Sequence, residues 1–354
     1  MFEFVGGNDE TPTKLIGFSP IEAEDDTGAK CIFGLCGEER NLSKVMKYNP
    51  TTRESTFIKL EFEDPRYVHY RCETCFGAAV ASDGNIYLLM DGKDEDAPKK
   101  FKERLFLSKM NPKTQKAEVV VGNIEKEGIY YSFGAVSNKD GSAIFFTPCQ
   151  SGKTILKFDV ETKTISQIKV DAYADDTSHI GSKWISSKWF GDGVIVDGNI
   201  YFSPLKASQI LQFNIATEKT QLVGEEYDGD WKWIGATTQN GKDVFFIPGA
   251  GHTHLLKLNT ETMETKLVGQ SLGDEARGKF SGAVQLQDQK IYMLSFNGDA
   301  FVCYNPMNDK ITRIDLSPRL SKLEQITSTI LTSNGMIFCA PKGASQFLQW
   351  NDTV

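Results

Sequence analysis

Asp192 is the residue whose chemistry is hardest to explain by folding alone. At four comparable places in the chain, a glycine is followed by alanine: Gly77-Ala78, Gly134-Ala135, Gly235-Ala236 and Gly282-Ala283; at a fifth the corresponding residue is Thr329. Gly191 is followed instead by a carboxylate. An unpaired charge among small apolar groups is expensive, so Asp192 must be hydrated, paired or bound to a metal. It is therefore the candidate ligand for a divalent cation, against the plainer reading of a hydrated channel carboxylate. His252 and His254 form an H-x-H pair, which on a strand points both rings to one side and can ligate a metal. No clear third ligand follows in sequence. The glycine-rich run Gly249-Ala250-Gly251 before them fits a loop with satisfied histidines instead.

Other residues suit recognition more than catalysis. Arg66, Tyr67, His69, Tyr70 and Arg71 fall within six positions, and aromatic groups beside arginine fit a protein or glycan contact. The competing reading is a loop that packs its own aromatics. Trp184 and Trp231 stand off the repeat described below and are candidates for an exposed ligand platform. Trp189 and Trp233 occupy equivalent repeat positions, which assigns them to packing. Asp94 and Asp96 have some carboxylate density, but the glycine and late glutamate of an EF-hand are missing. Gly152-Lys153-Thr154 echoes the end of a Walker A loop, without its first glycine and with a strand where a helix is required. No nucleophile elbow, HExxH or Rossmann fingerprint occurs. No catalytic residue is assigned on this basis, and a non-catalytic protein is the expectation.

These residues hang on a repeat. Seven times an apolar strand ends in a bulky residue followed by Asn or Asp: Tyr48-Asn49, Met110-Asn111, Phe158-Asp159, Phe213-Asn214, Leu258-Asn259, Tyr304-Asn305 and Trp350-Asn351. Most steps fall near 46 residues, a period that signals a repeat architecture. Each unit reads as four short strands. The first starts near a glycine and the second carries Ile86-Tyr87, Ile144-Phe145, Ile200-Tyr201 or a relative. Between them lie Asp83-Gly84, Asp140-Gly141, Asp197-Gly198, Asn240-Gly241 and Asn334-Gly335, dipeptides that favour tight hairpins. The third strand ends at the Asn or Asp, whose side chain can cap the following turn.

Four antiparallel strands per unit, repeated seven times without helical periodicity, predict an all-β, seven-bladed β-propeller. One propeller domain is expected over residues 1–354, with blades near 14–62, 76–122, 132–170, 189–224, 233–269, 280–316 and 326–351. The seventh unit lacks a fourth strand. Phe2-Glu3-Phe4-Val5-Gly6 resembles Gln221-Leu222-Val223-Gly224, so residues 2–6 are expected to supply it and close the ring.

The unit resembles the β-propeller repeats of the kelch and galactose-oxidase-like group and related propellers with a DG-x-IY pattern. It departs from kelch in lacking a Gly-Gly doublet after the second strand, and from WD40 repeats in lacking a repeated Trp-Asp pair. Trp233-Ile234-Gly235, Gly241 and Val244-Phe245-x-x-Pro248 are similar to a repeat in uncharacterised propellers of protists and algae. The resemblance implies the fold alone, because propellers host many unrelated functions.

In a four-stranded blade, the connections from strand two to three and from one blade to the next share a face. The insertions at 60–75, 91–104 and 171–188 fall mostly there, and loops on one end of a rigid scaffold commonly carry binding residues. The net charge of −8 argues against nucleic acid and anionic membranes as partners. The seven cysteines are odd in number and several sit at strand positions where small hydrophobes would serve, which fits reduced, buried thiols; Cys72-x-x-Cys75 has no second CxxC to complete a zinc site. The first residues carry no signal-peptide pattern, and no run of 18 apolar residues occurs. The expectation is a cytoplasmic, protein-binding propeller without a resident cofactor. Its rivals are a metal-dependent hydrolase or lactonase with an axial divalent cation, and a glycan-binding propeller.

Overall fold

The computed structural model describes residues 2–5, 14–15, 20–38, 41–62, 70–94, 103–124, 134–148, 154–171, 190–238, 240–272, 280–286, 288–295, 300–315, 325–342 and 346–350. These residues form seven antiparallel sheets, the blades of a β-propeller, with no α-helix among them. Six sheets have four strands; the first has a fifth, because Lys14–Leu15 and Ile21–Glu24 both pair with Lys30–Glu38. The inner strands are Ile21–Glu24, Tyr70–Val80, Ala135–Ser137, Gly193–Val196, Trp233–Thr237, Phe280–Gln285 and Gln325–Leu331, one per blade in chain order.

The sequence pattern of each strand follows its place in the blade. Second strands lie mid-sheet with a neighbouring blade on each side, so they are apolar on both faces. All of Ala143–Phe146 is buried for this reason. Outer strands need one inward anchor and are otherwise wet; Thr164–Lys169 buries Ile168 alone. Among the described residues the core is a ring of seven clusters, each shared by two adjacent blades, with a small eighth contact of Leu205 on Ile234. Tyr87, Leu107, Ile144 and Phe158 join blades two and three, and Val5, Met46, Tyr48 and Phe338 join blades seven and one.

The recurring Asn or Asp works as expected. Asn49 Oδ1 accepts bonds from the Thr51 and Thr52 amides at 2.9 and 3.2 Å, Asn111 Oδ1 from Lys113 and Thr114 at 2.9 Å each, and Asn259 Oδ1 from Glu261 and Thr262 at 2.9 Å each. One feature of these turns has no sequence signature. Four residues after the cap, Arg53, Gln115, Lys163, Glu218, Met263 and Asp309 all have φ between 55° and 63°. These non-glycine residues accept a left-handed conformation because the turn bonds around them, such as Arg53 N to Asn49 O at 2.8 Å, fix the backbone.

Phe2–Val5 pairs antiparallel with Phe347–Trp350, with Phe2 opposite Trp350 and Val5 opposite Phe347. The outer strand of blade seven is therefore the first strand of the chain, as its sequence predicts. At the axis, backbone approach sets residue size. A Cβ on Gly77 would lie 2.8 Å from the Gly134 carbonyl carbon, and one on Gly134 would overlap Asp192 Oδ1. The blade-four strand is held by Asp192 N donating to Ile234 O of blade five at 2.8 Å.

Two outcomes follow. Deleting residues 1–6 exposes the paired edge of Phe347–Trp350 and the buried Val5 contact. Losing one buried aliphatic and a few net hydrogen bonds costs about 3–5 kcal/mol, so the thermal midpoint should fall by roughly 4–7 °C; an unchanged midpoint would contradict the closure. Gly134→Ala should cost about 1–3 kcal/mol in the native background. It should cost little beside Asp192→Ala, which restores the small residue of the other blades. Denaturant titration of the double-mutant cycle reads this coupling, and equal costs in both backgrounds would refute it.

Candidate functional site

Three connections on one face meet at the junction of blades four and five: residues 203–209, 224–232 and 249–254. Backbone bonds lace them together. Lys232 N donates to Leu205 O at 2.9 Å, Tyr227 N to Ser208 O at 2.9 Å, Gly249 N to Lys232 O at 2.7 Å, and Gly251 N to Trp231 O at 2.8 Å. Gly251 is required here because a Cβ would overlap Asp230 O. Trp231 sits at φ 56° and exposes 39% of its surface. Lys206 Nζ lies 5.4 Å from its ring centroid, a cation–π distance, and 3.8 Å from Asp230 Oδ2.

Beneath this surface the groups are spoken for. Trp233 is fully buried; it packs edge-on against Tyr227, with centroids 5.0 Å apart, and lies 4.5 Å from His252. Its Nε1 donates to His254 O at 3.0 Å. His254 N donates to His252 Nδ1 at 3.3 Å, and His254 Nδ1 shares a 2.9 Å hydrogen bond with Thr253 Oγ1. The two histidines stand on a loop before the strand Leu255–Asn259, so the strand geometry that would align both rings toward a metal is absent. The glycines of 249–251 were the signal for that loop. Lys232 is a member of this site that the sequence does not advertise. Its side chain is buried, Nζ donates to Gly229 O at 2.6 Å, and burial pulls its pKa below the ordinary lysine value against the opposing pull of Asp230 and Asp228. That bond ties the end of the 228–231 turn to the core and so fixes where Trp231 projects.

The second place of interest is the axis. Asp192, Ala78, Ala135 and Thr329 line one cavity of about 390 Å³, together with Glu22 and parts of the same inner strands. Of the small residues expected at the axis, Ala78, Ala135 and Thr329 line this cavity and Ala236 and Ala283 do not, and Asp192 interrupts them. Its Oδ1 accepts the Gly193 amide at 2.9 Å. Asp192 keeps an edge toward the cavity but lies deep in the ring, and burial lifts its pKa to about 7 against the lowering effect of the Gly193 amide. Among the described residues, no group of three or more His, Cys, Asp or Glu converges to hold a metal ion.

The structure thus brings Trp231, His252 and His254 together at the blade four–five junction and leaves Asp192 apart at the axis. Tyr70 and Arg71, expected in an insertion loop, instead extend the inner strand of blade two, where they pair with Asp94 and Lys93. Their backbones are pleated into a ladder, so the second insertion begins as its partner strand, Ile86–Asp94. Arg66, Tyr67, His69 and Trp184 lie outside the described residues. Of the CxxC pair, Cys75 is buried and its Sγ donates to Gly77 O at 3.4 Å.

No protein-family model matches the sequence, and no curated protein matches it. Solved structures do match by shape. The WD40 propeller domain of Doa1 aligns with a TM-score of 0.63 at 8% identity, covering 99% of this chain and 97% of that one. U3-55K aligns at 0.63 and 9% identity, covering 98% and 97%. Virginiamycin B lyase from Staphylococcus aureus aligns at 0.61 and 10% identity, covering 99% of each chain. At these identities the likeness is one of fold, and it extends to WD40 proteins although this sequence lacks their Trp-Asp pair: the chain is a seven-bladed β-propeller.

Proposed function

We propose that this propeller is a non-catalytic protein-binding scaffold whose partner docks on the face that carries the blade-to-blade connections. The observation that carries the reading is Trp231. A tryptophan held by a strained, tightly bonded turn, with 39% of its surface exposed and a lysine over its ring, is a preformed anchor. Tryptophan and charged neighbours of this kind dominate interface energetics because they bury large area at little entropic cost. Lys206 and Asp230 beside it supply a polar rim. WD40 propellers among the structural neighbours lend the reading the precedent of their shape.

The test is affinity capture from a lysate of the source cells, followed by direct binding of the purified captured protein. Trp231→Ala should weaken that binding about tenfold or more, the loss expected of an interface anchor. Met307→Ala, in the turn after the third strand of blade six on the opposite face and 83% exposed, should leave it unchanged. A captured protein that binds both variants like the native chain would refute the assignment of this face, and the absence of any directly binding protein would refute the scaffold reading itself.

A further inference from the structure

The axial cavity has a chemical character distinct from the connection face. Its described wall is mostly aliphatic or small, from Ala78, Ala135, Ile330 and their neighbours, and it carries two carboxylates and no cationic side chain. The two carboxylates differ. Glu22 is engaged through both oxygens: Oε2 accepts Ser333 N and Oε1 accepts Ser333 Oγ, each at 2.9 Å. The Asp192 carboxylate has one bond among the described residues, from Gly193 N to Oδ1, which leaves Oδ2 as a spare acceptor there. Thr329, three blades away around the ring, adds a buried Oγ1 with no hydrogen-bond partner among the described residues. The Thr329 oxygen is sealed from the cavity and stands across the ring from Asp192, so the cost a ligand would relieve is that of the Asp192 carboxylate.

We infer that the axial cavity binds a small aliphatic ammonium, with the charged head on Asp192 Oδ2 and the apolar body against Ala78 and Ala135. The cavity is at the small end of ligand sites, which fits a compact molecule. An ammonium has three donors and no acceptor, and one carboxylate plus hydroxyl or water oxygens satisfies it. A calcium ion takes six to eight oxygens, and one spare carboxylate oxygen falls short of that. Burial lifts the carboxylate's pKa to about 7, so a bound cation would draw it into the charged form. The inner strands packed against Asp192 contribute Gly134 and Ile234 at the contact, neither titratable, and Glu22 is the other titratable group on the described wall. Affinity should therefore rise as pH increases through about 7, the value set by Asp192, because protonating the carboxylate removes the attraction while the amine stays charged.

Isothermal titration calorimetry with n-butylammonium chloride at pH 8 tests this, beside n-butanol and calcium chloride at matched ionic strength. The expected result is saturable binding of n-butylammonium, none of n-butanol, and at least about tenfold weaker n-butylammonium binding in Asp192→Asn, the loss of one charge-assisted bond. Far-ultraviolet circular dichroism establishes that the variant is folded. Should it fail to fold, the native chain titrated from pH 5 to 9 decides alone, with binding lost below about pH 7 as the expected outcome. Equal binding of n-butanol, no binding of n-butylammonium at tens of millimolar, or saturable binding of calcium alone would each overturn the proposal.

Discussion

The antiparallel pairing of Phe2–Val5 with Phe347–Trp350 joins the two ends of a ring in which every blade depends on its neighbours. A single blade cannot bury its second strand, since residues such as Phe145 and Phe146 face opposite sides of the sheet and each needs a flanking blade. The hydrophobic clusters are accordingly shared between blades and never confined to one. Open the ring at blade seven and the cluster of Val5, Met46, Tyr48 and Phe338 loses one wall. The edge of Phe347–Trp350 then presents unpaired backbone groups.

Closure also explains where chemistry can sit. The hairpins between strands three and four are fixed by turn bonds to Asn49 and Asn111, and those between strands one and two by bonds such as Asn85 N and Ser142 N to the Asp83 and Asp140 carboxylates. The opposite face has no such repeated constraint, and its connections at 203–209, 224–232 and 249–254 are free to bond with one another. They use that freedom to hold Trp231 outward while Trp233 and His252 stack inward. The axis is different again. Backbones approach closely enough there that a Cβ on Gly77 would press on the Gly134 carbonyl, and the space a Cβ on Gly134 would need is taken by one larger side chain that also lines the cavity. Asp192 is that side chain.

Much of this was legible in the sequence because repetition makes departures visible. The bulky residue before each Asn or Asp is buried in every unit, from Tyr48 to Trp350, and the Asn or Asp caps the turn in the units from Asn49 to Asn305, Asn351 lying outside the described residues. Asp192 stood out because alanine or threonine recurs at its position. Trp231 stood out because no other unit has it. What the sequence hides is whatever lacks a residue signature. Left-handed Met263 or Gln115 looks like any turn residue, since the strain is imposed by the hairpin and not by the side chain. Lys232 reads as a solvated lysine, and only the fold of 224–232 turns its ammonium onto Gly229 O. Tyr70 and Arg71 read as loop because aromatics and arginine serve a long strand pair equally well.

Hydrogen–deuterium exchange of the intact chain tests the central claim most directly. If the first strand closes the ring, the ladder amides of Phe2–Val5 and Phe347–Trp350 should be protected together and exchange only in step with the paired strands of the other blades. Exchange of Phe2–Val5 at the rate of a frayed segment, with Phe347–Trp350 behaving as an open edge beside it, would contradict the account.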